Sequence, residues 1–117
     1  MTLIFALDND DGGLHAFPSE AEAVAYCKGV DVHDGFWRFF DEDGSPLEAR
    51  WLRSAEPGSV LSLSVYTLVR AVSGLWLQER LEQVVTVTGC GLTTIAELVE
   101  LLKINRGKRV ERDSARK

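Results

Sequence analysis

The stretch FWRFFDEDGSPLEARW, residues 36–51, predicts a β-hairpin. Phe36–Phe40 is a dense aromatic run, and residues 41–46 combine Asp, Gly, Ser and Pro, the residue types that favour tight turns. Leu47–Arg53 then returns with apolar and charged side chains in alternation, so that one face of this strand is apolar and the other faces water. Two antiparallel strands joined by an acidic turn are therefore expected in this part of the chain.

A second hairpin and a helix are expected before residue 36. Leu3–Leu7 is a short apolar run, the turn residues 9–13 interrupt it, and Leu14–Phe17 can return as a strand. Ser19 is followed three residues later by Glu22, which is the spacing of a capping box. The pattern predicts a helix that begins after Ser19 and ends at Gly29.

The segments after the hairpin complete the predicted fold. Val60–Val72 alternates apolar and polar residues and predicts a long strand at the centre of the sheet. Residues 77–85 have apolar side chains at helical spacing, and Thr94 with Glu97 forms a second capping box. This order predicts an α+β fold, with a mostly antiparallel sheet of about four to five strands, one early helix and two C-terminal helices packed on one face.

The charge of the chain is unevenly distributed. Residues 1–102 carry 16 acidic and 6 basic side chains, a net charge of −10, whereas residues 103–117 carry 7 basic and 2 acidic ones, a net charge of +5. We therefore expect a single α+β domain over residues 1–104 and a basic tail over residues 105–117. An acidic body repels nucleic acid and attracts basic surfaces, although acidity also serves solubility alone.

Several features indicate a cytoplasmic protein without a membrane segment. The N-terminus lacks the basic region and the cleavage site of a secretory signal. The longest uncharged stretch, residues 83–96, is too short and polar to cross a bilayer. Two cysteines, Cys27 and Cys90, do not make a disulfide framework.

No metal site or cofactor site is expected from the sequence. Residues 8–19 begin like a calcium-binding loop but have Gly12 and Ser19 where positions 5 and 12 require oxygen ligands, so a turn is favoured. His15, His33 and the two cysteines have no metal-ligand spacing.

Three further patterns could indicate catalysis or ligand binding. Cys90 lies between two glycines before a helix, which is a setting that can lower the pKa of a thiol, but no histidine is close in sequence to act as a base. Residues 89–94 lack the lysine of a phosphate-binding loop. The aromatic run of residues 36–40 has acidic rather than basic flanks, which disfavours a platform for single-stranded nucleic acid. We therefore predict that the protein is not an enzyme and does not bind nucleic acid directly.

Three acidic turns and two tryptophans make up the predicted partner-binding site. If the ends of neighbouring strands cluster, these turns form a negative rim that steers a basic partner and mimics a nucleic-acid backbone. The alternative is that these acidic residues only form ordinary turns exposed to solvent. The predicted partner-binding residues are Asp10, Asp11, Asp31, Asp34, Trp37, Asp41, Glu42, Asp43 and Trp51.

Two segments of the chain resemble small bacterial immunity proteins, which are encoded beside contact-dependent or polymorphic toxins and neutralise them. The segments are FPSEAEAVAY (residues 17–26) followed by GVDV (residues 29–32), and the aromatic strand of residues 36–40 running into DEDG. The similarity covers roughly residues 1–70 and is a pattern of helix, acidic turn and aromatic hairpin. The resemblance implies a tight complex with a toxin domain, often a basic nuclease, and no catalytic residues.

The sequence thus leads to one functional hypothesis and one alternative. The hypothesis is an immunity protein that binds a cognate toxin, a basic nuclease domain, by occluding its active site with acidic side chains. The alternative is a small acidic module that binds another protein or itself and has no toxin partner. A homo-oligomer is neither indicated nor excluded by the sequence.

Overall fold

The computed structural model of the chain describes residues 3–51 and 66–115, and it has an α+β fold built on one sheet. Three α-helices and a 3₁₀ helix accompany the strands. The strands are β1 (Ile4–Asp8), β2 (Gly13–Phe17), β3 (Trp37–Phe40), β4 (Pro46–Trp51), β5 (Tyr66–Arg70) and β6 (Thr86–Thr88). The helices are α1 (Glu20–Tyr26), α2 (Gly29–His33), the 3₁₀ helix (Leu77–Gln83) and α3 (Ile95–Ala115).

The sheet has more strands than expected and is mixed. The strand order is β5-β4-β3-β1-β2-β6, with antiparallel pairs throughout except for β6, which runs parallel to β2. The prediction of four to five strands missed β6, while the mostly antiparallel character is confirmed. The strand predicted over Val60–Val72 is confirmed at Tyr66–Arg70, but its predicted central position is wrong, because β5 lies at the end of the strand order and β1 and β3 are central. Residues 60–65 of that prediction lie outside the described residues.

Both faces of the sheet are covered, which corrects the expectation that the helices pack on one face. On the α3 face, β1 contributes Phe5 and Leu7 to a core that includes Leu98 and Leu102 of α3. On the α1 face, Ile4 and Ala6 of the same strand join a second core. Alternate residues of β1 point to opposite faces, and its first four residues are all buried, as expected of a strand covered on both sides.

Only one of the two predicted C-terminal helices is an α-helix. The apolar spacing over residues 77–85 gives the 3₁₀ helix Leu77–Gln83, and residues 86–88 pair with β2 as β6. The β-branched run from Val84 to Thr88 explains the difference, because such residues favour strands. Val87 is buried and Thr86 and Thr88 are exposed, which is the period of a strand rather than of a helix.

The prediction that the first helix ends at Gly29 is wrong. Helix α1 ends at Tyr26, with Cys27 as its C-cap, and Gly29 is the first residue of α2. The predicted start is confirmed: the backbone N–H of Glu22 donates to Ser19 Oγ at 3.2 Å. Glu20 and Glu22 therefore belong to α1, whereas Asp31 and His33 belong to α2.

The contact between α1 and β5 shows that the sheet is strongly curved. The Glu20 carboxylate accepts hydrogen bonds from the Leu68 N–H (2.7 Å) and the Thr67 hydroxyl (2.9 Å) of β5. Glu20 follows the last residue of β2 by three residues, yet β5 is four strands from β2, a distance of about 19 Å in a flat sheet. The sheet therefore wraps around α1, and Glu20 covers backbone donors of an end strand that would otherwise be open to pairing.

The second capping box is confirmed and gives a pH prediction. Oε1 of Glu97 accepts from the N–H and hydroxyl groups of both Thr93 and Thr94, at 2.8–3.2 Å. Hydrogen bonds from Thr93 and Thr94 hold the Glu97 pKa below its usual 4.5. The folded state therefore favours the carboxylate, whose stabilisation is present above pH 4.5 and is lost as the pH falls through the lowered pKa.

We accordingly expect the melting temperature to fall more between pH 6 and pH 3 in the native protein than in Glu97→Gln. The Gln variant keeps an acceptor oxygen but has no charge to lose. Thermal unfolding followed by circular dichroism at both pH values measures the difference. Equal falls in the two proteins would show that Glu97 does not contribute to the acid sensitivity.

Candidate functional site

Two of the three predicted acidic turns meet at one end of the sheet. Strand β1 ends at Asp8, which pairs with Trp37, the first residue of β3. Asn9 then joins the two connections, because its N–H donates to the Phe36 carbonyl at 2.8 Å and its Nδ2 donates to the Gly35 carbonyl at 2.7 Å. The β1–β2 turn and the α2–β3 connection are thus held side by side.

We call this region the acidic end, defined by Asp8, Asp10, Asp11, Asp31 and Asp34. Asp31 lies on α2, and its carbonyl accepts from the Phe36 N–H at 3.0 Å. The negative charges of Asp31 and Asp8 both raise the pKa of Cys27, so each carboxylate lies near that thiol. Five carboxylates from two separate turns therefore share one end of the sheet.

The carboxylates of the acidic end differ in what they bind. Asp8 Oδ1 accepts from the Asp10 N–H at 2.8 Å, and Asp11 Oδ1 accepts from the Gly13 N–H at 2.7 Å, so both fix the turn itself. Asp10, Asp11 and Asp34 are exposed, but only Asp11 among them fixes the turn. Asp34 Oδ1 lies 3.5 Å from Nδ1 of His33. Asp10 and Asp34 are therefore the side chains best placed to meet a partner.

The third acidic turn lies at the opposite end of the sheet. Asp41, Glu42 and Asp43 follow β3, whose four residues separate them from the acidic end by about 13 Å. Asp43 is only 2% exposed, and its Oδ1 accepts from the N–H (3.0 Å) and the hydroxyl (2.7 Å) of Ser45. Asp43 therefore builds the hairpin turn and cannot present its carboxylate on a rim.

The other two acidic residues of this turn are also partly buried. Asp41 and Glu42 are half-buried, and Asp41 Oδ1 accepts from the Glu42 N–H at 2.8 Å. Asn105 of α3 donates from Nδ2 to the Glu42 carbonyl at 2.8 Å. The predicted rim of three turns is therefore divided, with two turns together and one apart.

The two predicted tryptophans are half-buried on the α1 face. The Trp37 ring contacts His15 and Tyr26, with ring centroids 5.6 and 5.9 Å apart. The Trp51 ring contacts His33 and Tyr66, at 6.2 and 5.4 Å. Both indoles are thus held by other rings and have limited freedom to reorient.

The predicted partner-binding residues omit Phe36, an exposed aromatic side chain of this region. Its side chain is 46% exposed, and it lies between Asp34 and Trp37 at the acidic end. It was assigned to the strand, but the ladder of β3 begins one residue later. The sequence does contain a signal for this exposure, because Phe36 is a large apolar residue directly after Gly35 and at the entry to the strand. A residue that precedes the hydrogen-bonded part of a strand is not held to either face of the sheet.

The cysteines do not have the properties of catalytic thiols. Burial, together with Asp31 and Asp8, raises the pKa of Cys27 to about 12. Burial and Glu22 also raise the pKa of Cys90, which corrects the expectation that its position before a helix lowers this pKa. The Cys90 thiol donates to the Ala16 carbonyl at 3.5 Å. Neither thiol is therefore primed to form the reactive thiolate.

A labelling experiment tests this description. In the native protein at pH 8, iodoacetamide should modify Cys90, which is exposed, well before Cys27, which is fully buried. Cys27 should react only after unfolding in urea, and mass spectrometry of timed samples distinguishes the two sites. Modification of Cys27 at the rate of Cys90 in the native state would contradict the packing of α1 against the sheet.

The described residues contain no obvious metal site or membrane helix. Within residues 3–51 and 66–115, no three His, Cys, Asp or Glu side chains are grouped as ligands for a metal ion. No helix in those ranges has the length and apolar character needed to span a bilayer. We found no protein-family model that matches the chain, no curated protein similar to it, and no solved structure that resembles it.

Proposed function

We propose that this chain is an immunity protein that binds a cognate bacterial toxin and occludes its active site with acidic side chains. The observation that supports the proposal is the meeting of two acidic turns at one end of the sheet, around the exposed ring of Phe36. The proposed toxin is a basic nuclease domain, because a surface made for a nucleic-acid backbone attracts a cluster of carboxylates.

The acidic end combines the two components of a tight interface. Its carboxylates raise the rate of encounter with a basic surface, since complementary charge steers diffusion. Phe36 supplies an apolar anchor near the centre of the charged region, and buried aromatic residues contribute disproportionately to binding energy. The rigid support from Asn9 and the strand pair β1–β3 limits the entropy lost on association.

Co-purification tests the proposal. The protein should form a stable 1:1 complex with the product of the gene that neighbours its own, expressed as an inactive variant to spare the host. Size-exclusion chromatography at micromolar concentration should show one co-eluting peak. Separate elution of two folded proteins would contradict the proposal.

A self-associating module is the second candidate, and one observation favours it. Val72 is 99% exposed and Leu75 is 46% exposed, in the connection that follows β5. Salt separates the two functions, because screening weakens charge-steered binding and leaves apolar self-association intact. Sedimentation at low and high salt should show a monomer in both conditions if toxin binding is the function, and a salt-resistant dimer if self-association is.

A further inference from the structure

Strands β3 and β4 separate after a short contact and leave a cleft in the sheet. They pair only at Phe39 with Leu47 and at Phe40 with Pro46, whereas β4 continues to Trp51. The first half of β3 therefore has β1 on one side and an opening on the other. The opening has a volume of about 390 Å³, which is within the size range of small-molecule sites.

The cleft has an apolar part and a cationic part. Trp37, Phe39 and Trp51 line it from the α1 face, and they belong to the packed core of that face. Arg38 and Arg80 line it as well. Arg38 alternates with Trp37 and Phe39 along β3, so its side chain projects to the α3 face, where the 3₁₀ helix carries Arg80.

Arg80 has an unsatisfied hydrogen-bond donor at this place. Its Nε is buried and has no hydrogen-bond partner. Burial and the nearby Arg38 lower the Arg80 pKa against an opposing effect of Glu79, so the two guanidinium groups are close enough to repel. Within the described residues neither group forms an ion pair, although Glu48 also lines the cleft. Two adjacent cations beside a buried free donor are costly, and a bound anion would relieve both costs.

Arg38 is already oriented. Its Nε donates to Asn9 Oδ1 at 3.1 Å, which anchors the guanidinium towards the end of β1, and its side chain also lines the cleft. A guanidinium is planar and matches the two oxygens of a carboxylate. The arrangement therefore suits a carboxylate better than a diffuse charge, and the neighbouring indole and phenyl rings suit an apolar body attached to it.

We propose that the cleft between β3 and β4 binds a small amphipathic carboxylate, with its charged group on Arg38 and Arg80 and its apolar body against Trp37, Phe39 and Trp51. This binding site adjoins the acidic end, because Arg38 binds Asn9, but the ligand it would take goes beyond the proposed function. An anion without an apolar body would leave the aromatic wall of the cleft uncovered.

Titration with phenylbutyrate tests the proposal. Tryptophan fluorescence should report binding, because two indoles line the cleft, and isothermal titration calorimetry should give a submillimolar Kd. The neutral analogue phenylbutyramide lacks the charge, and inorganic phosphate lacks the apolar body, so each should bind at least about tenfold more weakly.

Variants identify the cations that bind the carboxylate. Arg80→Gln and Arg38→Gln should each weaken phenylbutyrate binding by about tenfold. Arg50→Gln is the matched control, because Arg50 is an exposed arginine of β4 that does not line the cleft. Arg38 is exposed, so its variant remains informative if Arg80→Gln does not fold.

Four results would overturn the proposal. They are the absence of phenylbutyrate binding at millimolar concentration, equal binding of the amide, equal binding of phosphate, and equal weakening by Arg50→Gln.

Discussion

Replacing Gly89 with Ala is expected to destabilise the protein by about 3 kcal/mol or more. Gly89 connects β6 to the turn before α3 and has a φ of 96°, in the left-handed region where a side chain is strained. A Cβ at this position would also collide with the backbone carbonyl of Ala16 in β2. Backbone cannot move aside as a flexible side chain can, so the strand contact must open.

Gly91 provides a matched control two residues away. It has a φ of 80°, and a Cβ there would meet nothing within 4 Å. Gly91→Ala should therefore cost only the conformational strain, about 1 kcal/mol. Urea unfolding of the two variants measures the difference. Equal losses of stability would mean that Gly89 is not pressed against Ala16 and that the parallel pairing of β6 with β2 is wrong.

Neutralising Asp10 and Asp34, the two exposed carboxylates of the acidic end that do not fix its β1–β2 turn, should slow association with the proposed toxin by about tenfold at low salt. The double variant Asp10→Asn with Asp34→Asn leaves the turn bonds of Asp8 and Asp11 intact. The rate should fall, with a smaller change in the dissociation rate, because rim charges act mainly on encounter. Stopped-flow fluorescence over a range of ionic strengths measures both rates.

The control for this prediction removes the same charge elsewhere. Glu22→Gln with Glu100→Gln changes two exposed acidic residues on α1 and α3, outside the acidic end. This control should associate nearly as fast as the native protein. If both double variants slow association equally, net charge rather than the acidic end steers the partner.

Local signals in the sequence predicted most of the individual elements. The capping residues Ser19 and Thr94 mark helix starts that the structure confirms, because side-chain caps are local interactions. The acidic turn before Pro46 and the alternation after it also correspond to the observed hairpin β3–β4. These features depend on neighbours within a few residues, which a sequence displays directly.

Features that depend on long-range pairing were not predicted. Strand β6 is three residues long and pairs with β2 more than 70 residues earlier, so residues close to it in the sequence give little sign of the pairing. The distribution of helices on both faces depends on the curvature of the sheet around α1, which no local pattern encodes. The covering of both faces of the sheet has one trace in the sequence. The first four residues of β1 are all apolar, and in the structure all four are buried.

The candidate site was predicted in part. Asp8 of β1 and Trp37 of β3 meet because those strands are antiparallel neighbours, and this pairing brings two acidic turns together. The third turn could not be assigned to the opposite end without the strand order. The burial of Asp43 depends on its bonds to Ser45, whose spacing of two residues is a common turn signal.

Protection of cells from the toxin is the most direct test of the proposed function. If the neighbouring gene encodes the proposed toxin, bacteria that express its active product should grow when this protein is co-expressed and should stop growing when it is absent. The control variant Glu22→Gln with Glu100→Gln should protect as well as the native protein. Growth arrest despite folded, abundant protein would contradict the account.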